Sequence, residues 1–260
     1  MKFFNCFLSI GAWSWRVHPS KPFHHNYVIA LYRHDVYVCN GALYREDLAL
    51  VPSFCAKGPM VNGRVELFRH DLNVTSQEES KRRPSWDPET GSLVSVYTKQ
   101  YPASACIVGV HFMGQLCILK LESETSFYTG LLLQSSAPPE SPYLIGWGPG
   151  NMILQQTSLP LYESNLCRSQ LGYLIGVQFN ICIQEQLSTP HAFAFKAGTP
   201  LMYRSRSSPT LYGLLAYQYK TPGNLSLAIF IRTKSFVKSI DLTALTLFKL
   251  PHPAKQPPPT

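Results

Sequence analysis

The stretch CNGALYREDLALVPSFC, residues 39–55, decides the fold of this chain. It carries apolar runs of strand length between two cysteines. Similar apolar and β-branched runs recur about every ten residues along the chain, which is the spacing of strands in an all-β sandwich or barrel. The runs are 27–32, 36–39, 65–68, 93–97, 106–110, 116–121, 143–147, 174–183, 211–219 and 225–231.

Length and composition agree with this interpretation. A chain of 260 residues, of which 45% are hydrophobic, can form one all-β domain or two small barrels packed together. The formal charge of +8 gives a basic surface that can attract a polyanion, although solubility is the more common reason for such a charge. No apolar stretch is long enough to span a membrane.

The two ends of the chain differ from its middle. Residues 1–16 begin with Lys2 and a short apolar run, which predicts a signal or pro segment. Near the other end, apolar residues repeat at helical spacing and predict a closing helix. Residues 251–260 contain five prolines and predict a tail without a fold of its own. The helical repeat consists of Phe236, Val237, Ile240, Ala244 and Leu247.

Two further segments are candidates for surface functions. Residues 77–90 are polar and charged and predict an exposed loop, in which Lys81, Arg82 and Arg83 form a basic triplet. Such a triplet is a solvated face or a polyanion site. The sequons at Asn73 and Asn224 can accept glycans if the chain is secreted.

Several short motifs carry a resemblance when they are taken in chain order. In trypsin-like serine proteases, a Cys-Gly-Gly-Ser-Leu strand precedes a strand that ends in Ala-Ala-His-Cys, and Gly-Trp-Gly and Gly-Asp-Ser-Gly-Gly-Pro-Leu follow. Residues 17–248 of this chain resemble that series. The matching stretches are CNGAL (39–43), LALVPSFC (48–55), QLCILKL (115–121), GWG (146–148), FKAGTPL (195–201), GLLAY (213–217) and FVKSI (236–240).

The resemblance implies two packed antiparallel six-stranded β-barrels closed by a C-terminal α-helix. It implies a trypsin-like domain over 17–250. The first barrel would span about 26–125, the second about 126–233 and the helix about 234–248, followed by the tail at 251–260.

The resemblance also assigns the catalytic positions. The general base falls on Phe54, the carboxylate that orients it on Gln115 and the nucleophile on Ala197. A phenyl ring cannot act as a general base, and a methyl group cannot act as a nucleophile. We therefore expect no peptidase activity from this arrangement.

The supporting positions depart from the family pattern as well. Phe195 stands where a glycine helps to form the oxyanion hole, and Lys196 stands where an aspartate pairs with the new N-terminus after activation cleavage. We expect no such activation, because two cations would face each other. The specificity pocket changes at its floor and wall. Those pocket positions are His191, Ala216, Tyr217 and Gln218.

Four of the cysteines match two family disulfides, Cys39 with Cys55 and Cys167 with Cys182. Two other family bridges are missing as whole pairs, which favours a folded product over random drift. Cys6 is expected to leave with the N-terminal segment. Cys117 is predicted to be a small buried hydrophobic residue, and no role is assigned to Cys106.

The sequence gives less support to a metal site, a new acid–base site or a phosphate-binding loop. His18, His24 and His25 lie close together but have no companion ligand at metal-binding spacing, so we expect no metal and no cofactor. His34, His70 and His111 show no spacing typical of a new acid–base site. The glycines at 146, 148 and 150 belong to a structural turn rather than a phosphate loop.

The sequence therefore predicts a secreted, proteolytically inactive homologue that binds another protein as a decoy, cofactor or ligand. Two alternatives stay open. One is a polyanion-binding or heparin-binding module that uses the basic surface, and the other is a weak hydrolase with a non-standard site. Nucleic acid is not an expected partner.

Overall fold

The computed structural model describes fifteen segments of the chain, and all structural statements below concern these residues. Seventeen strands and three helices are assigned within them. No helix in these segments is long and apolar enough to cross a membrane. The segments are 17–20, 25–45, 47–56, 63–82, 85–86, 93–94, 97–100, 103–107, 116–122, 132–133, 142–158, 180–186, 194–204, 209–220 and 225–246.

The first sheet has seven strands in the order β8-β5-β2-β3-β4-β10-β9, and every neighbouring pair is antiparallel. The stretch that opened the sequence analysis forms its centre, strands β3 and β4. Strands β6 (Ser85–Trp86) and β7 (Leu93–Val94) pair separately. The strands of the first sheet are β2 (Val28–Arg33), β3 (Val36–Arg45), β4 (Leu48–Pro52), β5 (Gly63–Leu67), β8 (Tyr97–Gln100), β9 (Ala103–Ile107) and β10 (Leu116–Lys120).

The second sheet runs in the order β1-β13-β12-β15-β16-β17-β14, with β11 pairing alongside β16 in parallel. Its other pairs are antiparallel. It therefore joins the N-terminal strand to the strands described in the second half of the chain. Its strands are β1 (His18–Pro19), β11 (Leu132–Leu133), β12 (Tyr143–Gly146), β13 (Gln155–Ser158), β14 (Asn180–Gln186), β15 (Pro200–Arg204), β16 (Pro209–Lys220) and β17 (Leu225–Arg232).

Strands in the centre of each sheet are buried on both faces, which explains their continuous apolar sequences. In β2, Val28 and Ala30 point to a cluster shared by the two sheets, whereas Ile29 and Leu31 point to the interior of the first sheet. Trp147, from the second half of the chain, also packs in this shared cluster. Because side chains alternate along a strand, a single strand fills two cores.

The closing helix predicted for about 234–248 begins as a 3-10 turn, Thr233–Phe236, and continues as α3, Val237–Thr246. Phe236, Ile240 and Ala244 are buried in the cluster shared by the two sheets. Tyr44 of β3 donates to Asp241 Oδ1 over 3.3 Å. Burial and the neighbouring Asp241 carboxylate raise the pKa of Tyr44 to about 12.

The prediction of an exposed loop over 77–90 is wrong in its first part, because Ser76–Arg82 forms a helix, α2. Thr75 caps this helix reciprocally with Glu78: the Glu78 N–H donates to Thr75 Oγ1 and the Thr75 N–H to Glu78 Oε2. This Thr-x-x-Glu pattern is a helix-start signal that the sequence displays. The polar composition of the segment concealed it.

A buried guanidinium holds α2 against the first sheet. Arg69 donates to Glu66 over 2.5 Å and to Glu79 over 2.7 Å, and its other nitrogen donates to the backbone carbonyls of Asp71 and Val74. Glu79 accepts in turn from the His70 and Asp71 N–H groups. Every charge in the group is therefore paired, as burial requires.

The disulfide implied by the resemblance joins Cys39 and Cys55, with a Cα–Cα distance of 6.0 Å. Cys182 is disulfide-bonded too, and Cys167 lies outside the described residues. The prediction for Cys117 is wrong: it is fully buried, as expected, but it is disulfide-bonded. The β9–β10 register places the backbone of Cys106 directly opposite Cys117, a cross-strand relation that linear spacing does not reveal.

We expect peptide mapping under non-reducing conditions to recover a cross-link between Cys106 and Cys117. Residues directly opposite in antiparallel strands have Cα atoms about 4.5–5.5 Å apart, within the roughly 4.4–6.8 Å that a disulfide spans. The Cys39–Cys55 peptide serves as the internal control, and both cross-linked peptides must disappear on reduction. Recovery of Cys106 as an alkylated free thiol would contradict this pairing.

Candidate functional site

The positions assigned to catalysis lie where the two sheets meet. Phe54 belongs to α1 (Ser53–Ala56), a single turn at the end of β4. Ala197 lies in the turn over residues 194–199 that leads into β15. Gln115 falls outside the described residues, directly before β10. The structure thus brings Phe54 and Ala197 to the same junction, since both pack against the core of the first sheet.

Phe54 makes an aromatic contact across the junction. Its ring centroid lies 5.3 Å from that of Tyr217 on β16, with the ring planes 38° apart. Tyr217 itself is 37% exposed. An aromatic pair therefore stands where the resemblance would place a general base beside the wall of the specificity pocket, and its interaction is packing rather than proton transfer.

The turn at 194–199 is fixed by the buried side chain of Asn40. Asn40 Nδ2 lies 2.9 Å from the Trp147 carbonyl, 3.2 Å from the Lys196 carbonyl and 2.6 Å from Thr199 Oγ1. The Asn40 backbone N–H donates to the Ala197 carbonyl over 2.8 Å. One residue of β3 thereby sets the position of the whole turn.

The side-chain oxygen of Asn40 is also hydrogen-bonded. Its Oδ1 accepts from the Tyr37 hydroxyl over 2.7 Å and from the Trp147 N–H over 3.3 Å. Burial raises the pKa of Tyr37 well above its usual value, so this hydroxyl stays a donor at neutral pH. A fully buried amide with both ends paired is a specific tie between the sheets.

Two glycines permit this close approach. Gly198 has φ +83°, and a Cβ there would lie 1.8 Å from the Asn40 carbonyl oxygen. A Cβ at Gly148 would lie 1.9 Å from the Ala194 carbonyl oxygen. Neither position has room for any other residue, and the conformation of Gly198 is one that side chains disfavour.

Lys196 turns toward the first sheet. Its Nζ donates to the Tyr37 carbonyl over 2.7 Å and stands 4.2 Å from the centre of the Tyr37 ring. Burial lowers the pKa of this ammonium group. The backbone is also engaged, because the Lys196 N–H donates to the Trp147 carbonyl over 2.9 Å. Lys196, which the resemblance assigns to the position of the activation aspartate, is thus held by contacts with Tyr37 and Trp147.

The residues that the resemblance assigns to the specificity pocket and its surroundings make contacts within the chain. Phe195 is buried in the interior of the second sheet. Gln218 reaches across and donates from Nε2 to the Phe195 carbonyl over 3.1 Å. Ala216 is buried, and His191 lies outside the described residues.

Of the remaining candidate residues, His24 and His111 lie outside the described part of the chain. In the segments that are described, no group of three or more His, Cys, Asp or Glu residues is placed to hold a metal ion. Asn73 is exposed at the turn before α2, where its side chain donates to Asp71 Oδ1. Asn224, the other sequon, lies outside the described residues.

Sequence reasoning missed Asn40 and Tyr37. Asn40 occupies the first glycine position of the family's Cys-Gly-Gly-Ser-Leu strand, so the substitution itself was the available signal. Its partners lie 107 and 159 positions away along the chain, and no local pattern identifies them.

Two packed, mostly antiparallel sheets, a closing helix and this junction define the fold of trypsin-like serine proteases. The family model for Trypsin matches residues 15–240, and the chain belongs to that family. A search of curated protein sequences finds no match to the chain.

We expect Asn40→Gly to reduce the free energy of unfolding by about 3 kcal/mol, since several buried hydrogen bonds each contribute about 1 kcal/mol. Urea denaturation measures this change, and amide exchange should show faster exchange at residues 194–199. The matched control is Asn151→Gly, because the Asn151 side chain accepts one bond, from the Ile153 N–H over 3.0 Å. Equal losses in the two variants would contradict a central role for Asn40.

Proposed function

We propose that this protein is a secreted, proteolytically inactive member of the trypsin family that acts by binding another protein. The observation that carries the proposal is the turn at 194–199. Ala197 stands at the nucleophile position, and its neighbours are engaged in contacts within the fold. The turn serves as a structural joint between the sheets.

The absence of catalysis follows from the chemistry of the assigned positions. Acyl transfer needs a nucleophile and a base within hydrogen-bond reach of it. Ala197 offers a methyl group, and Phe54 packs against Tyr217 with the ring planes tilted. Without these groups, a site of this kind retains only binding and oxyanion effects, roughly 10³–10⁴-fold over water.

The region that would hold substrate favours the same proposal. Gln218 binds the Phe195 carbonyl, so a polar side chain already occupies the space beside the pocket wall. Lys196 is tied to Tyr37, and an ammonium group cannot form the ion pair that orders this region in the family. Both contacts hold these side chains against other parts of the fold.

An aromatic face near this site is the surface that we propose for the partner. Tyr217 and Tyr219 lie two residues apart on β16, so their side chains share one face of the strand. They are 37% and 48% exposed, and Phe54 packs beside Tyr217. Tyrosines of this kind are enriched in protein interfaces and dominate their energetics.

Secretion is supported by covalent features. Cys39 and Cys55 form a disulfide with each other. Cys117 is also disulfide-bonded, and so is Cys182. Disulfides persist in oxidising compartments and are rare in the cytosol. The exposed sequon at Asn73 is accessible to the glycosylation that occurs on the same route.

The polyanion alternative has less support. Several basic side chains are paired within the fold: Arg45 and Lys120 with Asp47, Arg64 with Asp35 and Glu66, and Arg69 with Glu66 and Glu79. Lys81 is exposed on α2. A steep fall of heparin retention with salt would favour this alternative.

The wild-type chain is expected to show no labelling by a serine-directed phosphonate and no hydrolysis of peptide or ester substrates. We further expect that Phe54→His, Gln115→Asp and Ala197→Ser together restore activity far below that of a trypsin-like enzyme. Phe195 and Lys196 remain in that variant, and one lost oxyanion donor alone costs about 10²–10³ in rate.

Active-site titration after treatment with an activating protease measures the labelling of the wild type and the activity of the triple variant. Trypsin is the positive control. Labelling of the folded wild type that is lost on denaturation would overturn the inactivity proposal and favour the weak hydrolase. A stoichiometric burst with normal turnover from the triple variant would show that only the three side chains were lacking.

The aromatic face is tested with Tyr217→Ala and Tyr219→Ala. Partners recovered by cross-linking from the expressing tissue are purified and titrated against each variant, and we expect affinity to fall at least tenfold, the effect typical of interface hot spots. Leu242→Ala is the matched control, because Leu242 is an exposed hydrophobic side chain (60%) on α3 rather than on β16. Unchanged affinity in both tyrosine variants would place the interface elsewhere.

A further inference from the structure

The sequon at residues 73–75 lies in a turn that hydrogen bonds hold closed. We call residues 71–75 the sequon turn. Asp71 Oδ1 accepts from the Asn73 backbone N–H over 3.0 Å and from Asn73 Nδ2 over 2.9 Å. The amide nitrogen to which a glycan is joined in a sequon is therefore bound to a carboxylate of the same turn.

The hydroxyl group of the sequon is engaged as well. Thr75 Oγ1 donates to Glu78 Oε2 over 2.9 Å and accepts from the Glu78 N–H over 3.2 Å. The Thr75 backbone takes part too, because its N–H donates to Glu78 Oε2 and its carbonyl accepts from the Glu79 N–H, each over 2.9 Å. The residue that completes the sequon is thus the residue that caps helix α2.

A buried charge holds the backbone of the sequon turn. The Arg69 guanidinium donates to the Val74 carbonyl over 2.6 Å and to the Asp71 carbonyl over 2.9 Å. Arg69 is buried, and its other nitrogens are paired with Glu66 and Glu79. Opening the turn therefore takes hydrogen bonds away from a buried cation, which is costly.

The sequon turn is completed by residues from the second half of the chain. The Leu72 N–H donates to the Met152 carbonyl over 2.8 Å, and Asp71 forms an isolated β-bridge with Ile153. Helix α2 cannot replace this support, because a helix of seven residues is too short to be stable alone. Synthesis adds about 5–20 residues per second, so the turn stays incomplete for a time on the order of seconds after Asn73 is made.

Glycan transfer needs the groups that the folded turn occupies. Transfer joins C1 of a lipid-linked oligosaccharide to Nδ2 of the asparagine. The bond from C1 to the diphosphate oxygen breaks, the lipid diphosphate leaves with the electron pair, and Nδ2 releases one proton. Because an acceptor asparagine must be followed by Ser or Thr two residues later, that hydroxyl is part of what the transferring enzyme recognises. Closure of the sequon turn engages both groups at once.

We propose that Asn73 accepts a glycan only before the sequon turn closes, so that the glycan is added during synthesis and the folded chain is not a substrate. The proposal rests on the proposed secretion of the chain, which brings it to the transferring enzyme. A glycan added early is compatible with the fold, because Asn73 is exposed and its substituted amide nitrogen keeps one hydrogen for Asp71 Oδ1. Exposure gives the glycan room, but transfer requires an open turn.

The test is a transfer assay on the purified full chain produced without glycans. The folded chain, with the Cys39–Cys55 disulfide intact, is compared with the reduced and alkylated chain, whose unfolding is checked by circular dichroism. Each is incubated with an oligosaccharyltransferase and a lipid-linked oligosaccharide, and glycopeptides that contain Asn73 are quantified. We expect the unfolded chain to be modified faster by about tenfold or more, since opening the folded turn breaks several hydrogen bonds.

Two matched double variants test the contacts that close the turn. Asp71→Ala with Glu78→Ala removes the acceptors that hold Asn73 and Thr75, so its folded chain should be modified about tenfold faster than the folded wild type. Asp71→Asn with Glu78→Gln keeps an oxygen acceptor at both positions and preserves the capping box, so it should match the wild type. Both variants leave the sequon itself unchanged.

Several results would overturn the proposal. Equal modification of the folded and unfolded wild type would do so, and so would equal rates in the two double variants when thermal unfolding shows both to be folded. If the double alanine variant does not fold, Asp71→Ala is compared with Asp71→Asn, since both keep the helix cap. An unfolded chain that stays unmodified would show that Asn73 is not an acceptor. Because the assay starts from purified protein, its result does not depend on whether the chain is secreted.

Discussion

The buried amide of Asn40 is the interaction on which the junction of the two sheets depends. It belongs to the central strand of the first sheet, and its partners are the Trp147 carbonyl, the Lys196 carbonyl and Thr199 Oγ1. These partners would be buried without a hydrogen bond if the amide were absent, and each unsatisfied group costs about 1–3 kcal/mol. Hydrophobic packing brings the sheets together, and this amide specifies how they meet.

The fold could be predicted from the sequence because its dominant signal is local. Apolar runs such as 27–32 and 211–219 mark strands wherever they are long enough to fill a core, and the helical repeat from Phe236 to Leu247 marks the closing helix. The predicted runs at 93–97 and 106–110 were harder to place, since the strands there are Leu93–Val94, Tyr97–Gln100 and Ala103–Ile107. Edge strands bury less apolar surface, so the apolar pattern of the sequence marks their ends less clearly.

The candidate site could be predicted only as a set of replaced side chains. The identity of Ala197 or Phe54 leads us to propose which chemistry is missing, but it does not say what each side chain touches. The ring contact of Phe54 with Tyr217 joins residues 163 positions apart, and the bond from Lys196 to the Tyr37 carbonyl spans 159. Likewise, the cross-strand position of Cys117 depends on sheet register, which composition does not fix.

The proposed loss of the catalytic side chains from a trypsin-type fold is physically reasonable because chemistry and scaffold use different atoms of the same turn. The scaffold role of residues 194–199 is carried by backbone groups: the Ala197 carbonyl accepts from Asn40, the Lys196 N–H donates to Trp147, and the Gly198 N–H donates to Leu215. None of these bonds needs a hydroxyl at position 197 or a carboxylate at position 196. Replacing those side chains therefore leaves the turn in place, whereas a residue with a Cβ at position 198 would collide with the Asn40 carbonyl. The turn's geometry is thus required by packing, whatever side chains stand at positions 196 and 197.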